Sequence, residues 1–511
     1  MYTKFYVPTK VQKSIAKMIF AVYFLTSLLG LGMLAKETAA TTKPNIIFVM
    51  ADDMGWGEPG AYPAGSIHGR IATPNLDNLA ASGVKFTNAY AGYTVCAPSR
   101  TTLFTGRHSG KFHKYNLPGT SLSPGQALTT AEVLKKAGYA TALIGKSAPL
   151  TNPLQQGFDH FIGQVDQSKC HNMYPKVIDF GNETGNVNLT LNWKPKSRAL
   201  CMSNPNEYNY TTDLFQFHAM NWLEHAASNK NVPFFLYLSF TVPHAGGWSD
   251  LNFEQGAPVP TDGRYANETS WPPVERDHAG VITYLDTYVG QIMNQMKELN
   301  IEEDTILFFA SDNGAHKEGG HSYTFFNSTG GLRGHKRSMY EGGMRSPTMV
   351  QWKGTIDEGR ISDYPWSFWD IMPTFAELAG VSNIVPNDID GHSIVPTLKG
   401  STNQSLPPYI FYTGESQWGS GKGGKGITAY SIRMNHWKGV VNNCNNGVPS
   451  MKDEMQLFNL LNDPFEQNDI SKKHENQIQK MKTVVVNSGS SCYCYQCTEK
   501  KINAMLPVKI K

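Results

Sequence analysis

Four uninterrupted apolar segments most constrain how this chain can fold. They are residues 44–50, 139–144, 234–240 and 305–310. Because these segments are apolar without alternation, they are typical of strands that are buried on both faces of a sheet. Helical patterns precede the last three, at residues 130–138, 212–228 and 277–300. This order predicts a largely parallel sheet with helices on both faces, which is an α/β fold.

Each apolar segment is followed by side chains that can carry or bind charge. These are Asp52 with Asp53, then Lys146, then His244, and finally Asp312 with Asn313. In open α/β sheets, ligands bind beyond the carboxyl ends of the strands, so we expect these groups to converge on one site. Carboxylate and amide oxygens suit Ca²⁺ or Mg²⁺ better than zinc. Taken singly, an aspartate at a strand end is as typical of a turn or a helix cap as it is of a metal site.

The segment Cys96-Ala-Pro-Ser-Arg100 is a second candidate site. Pro98 suits the first turn of a helix, which puts Cys96 at a helix N-terminus. Free N–H groups and the helix dipole favour negative charge there. For a lone cysteine, the competing interpretation is a buried and inert thiol.

The whole pattern, Cys-x-Pro-Ser-Arg followed by Thr-Gly-Arg at residues 105–107, resembles the signature of the formylglycine-dependent (type I, arylsulfatase-like) sulfatases. The resemblance implies that a formylglycine-generating enzyme oxidises Cys96 to 3-oxoalanine, whose hydrate is the nucleophile. It also implies an alkaline-phosphatase-like α/β sandwich with a mainly parallel central sheet and a smaller C-terminal antiparallel subdomain.

The family resemblance extends to both groups of carboxylates. Asp52 and Asp53 begin a segment similar to the first metal motif, and Asp312 and Asn313 lie in one similar to the second. Cys96, as the formylglycine hydrate, would complete the metal shell. The implied cation is Ca²⁺, with Mg²⁺ as the alternative, and it would lower the pKa of the hydrate and polarise the sulfate oxygens.

The resemblance also implies roles for four further residues. Arg100 would hold the hydrate, and Lys146 and Lys336 would neutralise charge on the sulfuryl group. His244 would protonate the departing alcohol as a general acid. The bound sulfate would then be expelled and the aldehyde regenerated. Lys336 alone would suit a solvated loop, but the Gly-rich segment 332–347 around it is similar to the family pattern.

One departure from the family pattern affects the second half of that reaction. Many members read Gly-Lys-Trp-His-Leu-Gly where this chain reads Gly-Lys-Ser-Ala-Pro-Leu, so Ala148 replaces a histidine. His171, in a His-Asn-Met-Tyr-Pro segment that resembles one found in some branches, is the candidate substitute. The competing interpretation is a surface histidine beside Cys170.

The N-terminus and the change in composition near residue 400 predict three parts in the 511-residue chain. Residues 1–40 combine lysines with an apolar run and are typical of a signal peptide, or of an uncleaved signal anchor. Residues 41–400 would form the catalytic domain, with a surface insertion at 155–210. Residues 401–511 would form a subdomain that is cysteine-rich at its end. An exported chain would be extracellular or lysosomal.

Cysteines and sequons fit export. Six cysteines remain besides Cys96, and an even number in an exported chain predicts disulfides of undetermined pairing. They are Cys170, Cys201, Cys444, Cys492, Cys494 and Cys497. The last three could instead bind zinc, although a fourth ligand is not evident. Asn-x-Ser/Thr sequons predict a glycoprotein and stand at Asn182, Asn188, Asn209, Asn267, Asn327 and Asn403.

The charge balance restricts the partners. With 45 basic and 42 acidic side chains, the net charge of +3 predicts neither a nucleic-acid partner nor a membrane-surface partner. The expected substrate is a sulfate ester of a carbohydrate, and the resemblance suggests galactose or N-acetylgalactosamine sulfates. Two other functions remain open: a phosphoester or phosphonate hydrolase of the same superfamily, and a non-catalytic secreted binder of sulfated glycans in which Cys96 stays a thiol.

Overall fold

The computed structural model describes most of the chain from Lys43 to Ser488. The described residues are 43–62, 68–112, 121–167, 169–175, 177–182, 185–190, 210–246, 256–414, 427–444 and 449–488. The predicted signal at residues 1–40 lies outside them, as do four of the cysteines and Asn209. Those cysteines are Cys201, Cys492, Cys494 and Cys497.

A ten-stranded sheet organises the described residues. Its order is β11-β2-β10-β9-β1-β8-β4-β5-β6-β7, and the five adjacent strands β9, β1, β8, β4 and β5 are parallel. The strands are β1 (Asn45–Asp52), β2 (Val84–Phe86), β4 (Ala140–Lys146), β5 (His160–Gln164), β6 (Val177–Asn182), β7 (Gly185–Thr190), β8 (Phe234–Pro243), β9 (Thr305–Ser311), β10 (Thr348–Gln351) and β11 (Arg360–Ser362). A separate pair consists of β3 (Ala89–Tyr90) and β12 (Trp366–Ser367).

Helices cover both faces of this sheet. In chain order, the helices of the described residues are α1 (Pro74–Ala81), α2 (Cys96–Thr105), α3 (Thr130–Lys136), α4 (Thr211–Ser228), α5 (Pro273–Glu298), α6 (Glu341–Met344), α7 (Ile371–Leu378), α8 (Val395–Leu398) and α9 (Glu475–Asn487). Helix α9 packs on a separate C-terminal sheet rather than on this one. No helix in these described ranges is both long enough and apolar enough to cross a membrane.

Strand β1 divides the core into two layers. Ile47 and Val49 pack with residues of α1, α4 and α5, whereas Ile46 and Phe48 pack with residues of α2, α3 and α7. Successive side chains of a strand point to opposite faces, so an unbroken apolar segment satisfies both layers at once. This arrangement confirms the predicted α/β class with a mainly parallel central sheet.

The segment predicted as a surface insertion, residues 155–210, instead extends the sheet through those of its residues that the structure describes. Strand β5 pairs parallel to β4, β6 pairs antiparallel to β5, and β7 pairs antiparallel to β6. The difference arises because polar residues alternate with apolar ones in the sequences of β6 and β7, the last two strands at this end of the sheet. An Asn- and Gly-rich sequence therefore concealed three strands.

The C-terminal part forms the small antiparallel sheet that was predicted. It contains β13 (Tyr409–Gly414), β14 (Ile427–Met434), β15 (Trp437–Val441) and β16 (Gln456–Asn459), in that order. Helix α9 packs Met481 and Val485 against one face of it. The other face contributes Tyr409 and Phe411 to a cluster with Tyr90. The domain boundary near residue 400 stays a prediction.

One cysteine differs from the disulfide prediction. Cys170 is a buried free thiol whose Sγ lies 3.0 Å from the carbonyl oxygen of Gln167. It lies in the turn that leads to His171, beneath the candidate site rather than on the surface. Because a buried thiol that contacts a carbonyl is already satisfied, no disulfide is needed to explain its burial.

Candidate active site

The charged groups at the strand ends meet because their four strands are neighbours in the sheet. Strands β9, β1, β8 and β4 lie side by side and parallel. Their carboxyl ends deliver Asp312, Asp52, His244 and Lys146 to one edge of the sheet. This is the edge at which open α/β sheets bind ligands.

The turn after β1 presents two adjacent carboxylates to one point. Asp53 adopts a left-handed φ of 69°, and its backbone N–H donates to Asp312 Oδ1 at 3.0 Å. Non-glycine residues seldom adopt this conformation, which is concentrated at functional sites. The turn brings Asp52 Oδ1 to 3.1 Å and Asp53 Oδ1 to 3.7 Å from Cys96 Sγ.

Cys96 begins helix α2, as its sequence context predicted. Val95 precedes the helix in an extended conformation, and Cys96 is 5% exposed. Burial raises the pKa of the Cys96 thiol, and the charges of Asp312 and Asp52 raise it further. The thiol is therefore held protonated, which makes it a poor nucleophile in its unmodified form.

Arg100 lies one turn further along α2 and is wholly buried. Its Nε donates to Asp312 Oδ2 at 2.8 Å, and its Nη2 lies 3.6 Å from Asp52 Oδ2. Its Nη1 contacts the hydroxyl of Ser239 in β8. The sequence analysis missed Ser239, although a serine within an otherwise apolar strand was a signal that could have found it.

Two buried lysines approach the aspartate pair from opposite sides. Lys146 Nζ donates to Asp52 Oδ2 at 2.7 Å, and Lys336 Nζ donates to Asp53 Oδ2 at 2.6 Å. Burial favours loss of their protons, but the adjacent aspartates outweigh it and raise the pKa of both lysines. Although burial opposes ionisation, Lys146 and Arg100 hold the pKa of Asp52 well below its usual range.

Glu318 is a further acidic group that sequence reasoning missed. It is one-quarter exposed, and its Oε2 lies 3.0 Å from Lys336 Nζ and 3.2 Å from His244 Nε2. Its other oxygen contacts Arg337. Glu318 therefore contacts two predicted site residues, Lys336 and His244. Nothing in its Gly-rich sequence context indicated that it belongs to the site.

His244 and His171 face each other in this site. Their rings stack with centroids 3.7 Å apart and planes within 2°. His244 Nδ1 lies 2.8 Å from the carbonyl of Ala245, which fixes Nδ1 as the donor and turns Nε2 toward Lys336 at 3.2 Å. Burial, followed by the charge of Lys336, lowers the pKa of His244.

His171 is a buried residue of the site and not a surface histidine. It is 8% exposed, and its Nε2 lies 3.2 Å from Lys146 Nζ. Burial, followed by His244 and Lys146, lowers its pKa well below the usual value. Ala148 is also buried and offers no titratable group. Of these two residues, only His171 therefore places an imidazole beside Lys146.

The donor set fits a hard divalent cation. Asn313 Nδ2 donates to Asp53 Oδ1 at 2.7 Å, whereas Asn313 Oδ1 is buried and has no hydrogen-bond partner among the described residues. An orphaned amide oxygen beside three aspartates suits Ca²⁺ or Mg²⁺, which bind oxygen ligands. Ligand atoms of Asp52, Asp53, Cys96 and His244 also lie within 4.8 Å of one another.

Comparison with known proteins places this fold in a class. A crystal structure of Ps i-CgsB in complex with k-i-k-neocarrahexaose superposes with a TM-score of 0.66 and 27% identity, covering 86% of this chain and 91% of that one. The fold is the alkaline-phosphatase-like α/β sandwich, as the resemblance implied.

Sequence comparison then gives the family. The sulfatase family model matches residues 44–381, and a model for the C-terminal part of N-sulphoglucosamine sulphohydrolase matches residues 333–488. Human steryl-sulfatase (Homo sapiens) is 29% identical over 450 residues, covering 74% of this chain and 73% of that protein. N-acetylgalactosamine-6-sulfatase of Rattus norvegicus is 30% identical over 397 residues, covering 73% and 69%. This chain belongs to the sulfatase family and is a sulfuric ester hydrolase.

Proposed function

We propose that this protein hydrolyses sulfate esters with a formylglycine at position 96 and a Ca²⁺ ion held by the adjacent carboxylates. The observation that carries the proposal is the convergence of three buried cations and three buried aspartates on Cys96. Asp52, Asp53, Asp312 and Asn313 would hold the ion, and Mg²⁺ is the alternative. The hydrated aldehyde would supply the oxygen nucleophile, and the ion would increase its acidity.

The charge balance of the site supports a divalent ion. Arg100, Lys146 and Lys336 are each paired with an aspartate, so these groups cancel. A site with no net positive charge attracts a sulfate ester weakly. An ion of charge +2 among the aspartates would free the lysines to pair with the sulfuryl oxygens.

The residues around position 96 would divide the remaining work. Arg100 is held by Asp312 and Ser239, so its guanidinium is fixed beside the nucleophile. Lys146 and Lys336 would bind the sulfuryl group from two sides. His244 would protonate the departing oxygen when its ring is protonated on both nitrogens, because Nε2–H faces the site while Nδ1–H is held by the carbonyl of Ala245.

His171 would transfer the proton that Ala148, which has no titratable group, cannot transfer. Its contact with Lys146 and its stacking on His244 put a second imidazole within the site. A base in this position would assist the release of sulfate from residue 96. The roles of His171 and His244 would then be complementary, one acting in each half of the reaction.

The relatives support a sulfated carbohydrate as substrate. The names of the related proteins include an N-acetylgalactosamine-6-sulfatase, and the structural neighbour was solved with an oligosaccharide. Sulfated galactose or N-acetylgalactosamine units are therefore the first substrates to assay. We also propose entry into the secretory pathway, with delivery to the cell exterior or lysosome, glycosylation, and contact with a formylglycine-generating enzyme during maturation.

The first prediction tests position 96. Protein made together with a formylglycine-generating enzyme should yield a tryptic peptide Phe86–Arg100 that carries an aldehyde instead of a thiol. It should hydrolyse an aryl sulfate in the presence of Ca²⁺ and lose activity on chelation. Cys96→Ser is the matched control, since serine is not a substrate for oxidation to the aldehyde by the same route and should leave the protein inactive.

Three results would contradict the proposal or favour the other functions. An unmodified thiol in active protein would remove the formylglycine mechanism. Faster turnover of phosphate or phosphonate esters than of sulfate esters would favour the related hydrolases. Binding of sulfated glycans without turnover by correctly modified protein would favour the binding protein.

The second prediction concerns His171. We expect His171→Ala to lower steady-state kcat by about 100-fold or more, the usual range for losing a positioned acid or base. If His171 acts in the second half of the reaction, the first turnover should still release alcohol as a burst. His218→Ala, a half-buried histidine of α4 outside the site, is the control. Normal turnover by His171→Ala would contradict this role.

A further inference from the structure

Three buried histidines form a second cluster that the proposed reaction does not use. They are His278 in α5 and His316 and His321 in the loop that follows β9. Their side chains are nearly inaccessible, with exposed fractions of 1%, 1% and 4%. A ring nitrogen of each lies within 4.8 Å of a ring nitrogen of the other two.

Two carboxylates fix the tautomers of two of these rings. His278 Nε2 donates to Glu58 Oε1 at 2.6 Å, and His321 Nδ1 donates to Glu275 Oε2 at 2.7 Å. The second oxygen of each carboxylate accepts a backbone N–H, from Gly55 at 2.7 Å and from Ser322 at 2.9 Å. A carboxylate that orients a histidine in this way is the usual support of a metal-binding imidazole.

The opposite nitrogens of the two rings have lone pairs and no partner. His278 Nδ1 and His321 Nε2 are buried and make no hydrogen bond among the described residues. Buried polar atoms nearly always find partners, so two orphaned acceptors in one cluster call for a missing donor or cation. Because their N–H groups are occupied by the carboxylates, these two nitrogens are available only as acceptors or ligands.

Charge points to a cation. The rings of His278 and His321 are stacked with centroids 3.6 Å apart, so two imidazolium ions there would repel each other. At least one of the buried carboxylates, Glu58 or Glu275, therefore lacks a full countercharge. Among the described residues, neither carboxylate forms an ion pair with a lysine or arginine. A divalent ion would balance the pair.

We propose that His278 Nδ1 and His321 Nε2 bind a transition-metal ion, Zn²⁺ by the preference of imidazole ligands, with His316 as the third ligand. His316 Nε2 donates to the carbonyl of Pro243 at 3.2 Å while its Nδ1 accepts from the Glu318 N–H, so ligation through Nε2 would move the ring proton to Nδ1 and replace both contacts. The stacked rings would tilt to share the ion. His278 and His321 are not among the proposed Ca²⁺ ligands, whereas His316 also has a ring nitrogen within 4.8 Å of a carboxylate oxygen of Asp53 and of Glu318. The ion would fasten the loop after β9 to α5.

The position of the cluster gives the ion a structural role. Pro243 directly precedes His244, and the backbone N–H of Glu318 donates to His316 Nδ1 at 3.1 Å. The histidine cluster thus lies directly behind the wall of the active site. An ion bound there would stabilise the segment from His316 to His321.

Cobalt binding tests the proposal, because Co²⁺ in a nitrogen-ligated site absorbs visible light. The full-length Cys96→Ser/Asp53→Asn variant, kept in excess Ca²⁺, removes the catalytic thiol and one catalytic carboxylate as competing ligands. We expect one equivalent of Co²⁺ to give visible absorption bands, Zn²⁺ to displace it, and Zn²⁺ to raise Tm. The same protein carrying His278→Gln or His321→Gln should lose both responses, whereas His225→Gln, an exposed histidine of α4, should retain them.

Two results would overturn the proposal. The first is the absence of Co²⁺ bands in the folded Cys96→Ser/Asp53→Asn protein, which needs no histidine variant to be interpreted. The second is unchanged Co²⁺ binding when His278 or His321 is replaced, which would assign the ion to another site. A buried water would satisfy the two nitrogens without either metal response and would produce the first result.

Discussion

At the scale of single residues, the environment of Cys96 decides its chemistry. Its thiol is buried, donates toward Asp52 and faces a second aspartate, all of which disfavour a thiolate. The same carboxylates suit a cation and a hydrated aldehyde. A cysteine at a helix N-terminus is by itself typical of a reactive thiol, and here the neighbouring negative charges outweigh the helix dipole.

His108 gives a prediction of pH dependence away from the active site. It is buried, its Nδ1 accepts from the backbone of Gly110, and burial lowers its pKa to about 4 even though Asp390 acts in the opposite direction. In the unfolded chain, the pKa of His108 is the ordinary histidine value of about 6.5. Between these values the unfolded state binds more protons, so stability is lost as the pH falls from about 6.5 to about 4.

The measurement is the free energy of unfolding at several pH values for wild type and His108→Gln. We expect His108 to account for a loss on the order of 3 kcal/mol across this range, so the variant should show a shallower decline. Other buried histidines contribute to the total, and the difference between the two slopes isolates His108. Parallel slopes would contradict the prediction.

At the scale of elements, the two metal-motif loops are held by close contact with neighbouring backbone. A Cβ on Gly314 would lie 2.0 Å from the carbonyl oxygen of Gly342, and one on Gly55 would lie 2.2 Å from that of Ser328. Gly314 N–H also donates to Gly343 at 3.1 Å. At Gly314 and at Gly55, the neighbouring backbone lies too close for a Cβ atom. This close contact explains why each of the two metal motifs contains a glycine there.

Gly314→Ala should disrupt this approach. We expect it to destabilise the protein by about 3 kcal/mol or more and to reduce activity strongly, because Asp312 and Asn313 precede the displaced residue. Gly280→Ala is the matched control: it lies inside α5, and its nearest neighbours would be 3.4 Å away. Alanine there should stabilise by about 0.5–1 kcal/mol. Urea unfolding and kcat of both variants make the comparison, and equal effects would refute the packing argument.

At the scale of the whole molecule, buried charges join the C-terminal sheet to the parallel-sheet unit. Lys438 of β15 lies 2.6 Å from Glu341 of α6 and 3.3 Å from Glu466, and all three are buried. Arg345 also pairs with Glu341. Burial disfavours ionised Glu341, but Lys438 and Arg345 outweigh it and lower its pKa. Helix α6 follows the loop that contains Lys336, so the contact between Lys438 and Glu341 helps to hold that loop in the active site.

Lys438→Met should leave Glu341 and Glu466 short of a positive charge. We expect a loss of about 3–5 kcal/mol in the free energy of unfolding, as for other broken buried pairs. Lys353→Met removes an exposed pair with Glu302 of comparable distance, 2.8 Å, and should cost far less, because solvent screens exposed pairs. Lys438→Met/Glu466→Gln should recover part of the loss. A loss no larger than that of Lys353→Met would show that the buried network does not hold the sheet.

The sequence by itself determined the α/β class and the convergence of the strand-end groups. This was possible because strands buried on both faces are continuously apolar, and parallel strands end at one edge of the sheet. The motif at residues 96–100 specified the family for a different reason, since its chemistry requires particular residues at fixed spacing.

The tertiary structure alone decided which distant residues complete the site. Ser239 and Glu318 contact Arg100, Lys336 and His244 across long separations in sequence, and burial of His171 depends on the path of the segment before it. Strands β6 and β7, at one end of the sheet, were missed because their sequences mix polar and apolar residues. The pairing of His278 and His321 with two glutamates likewise arises where a loop meets a helix. Sequence patterns indicate which segments are buried and how residues are spaced along the chain. Contacts between distant residues depend instead on which elements become neighbours in space.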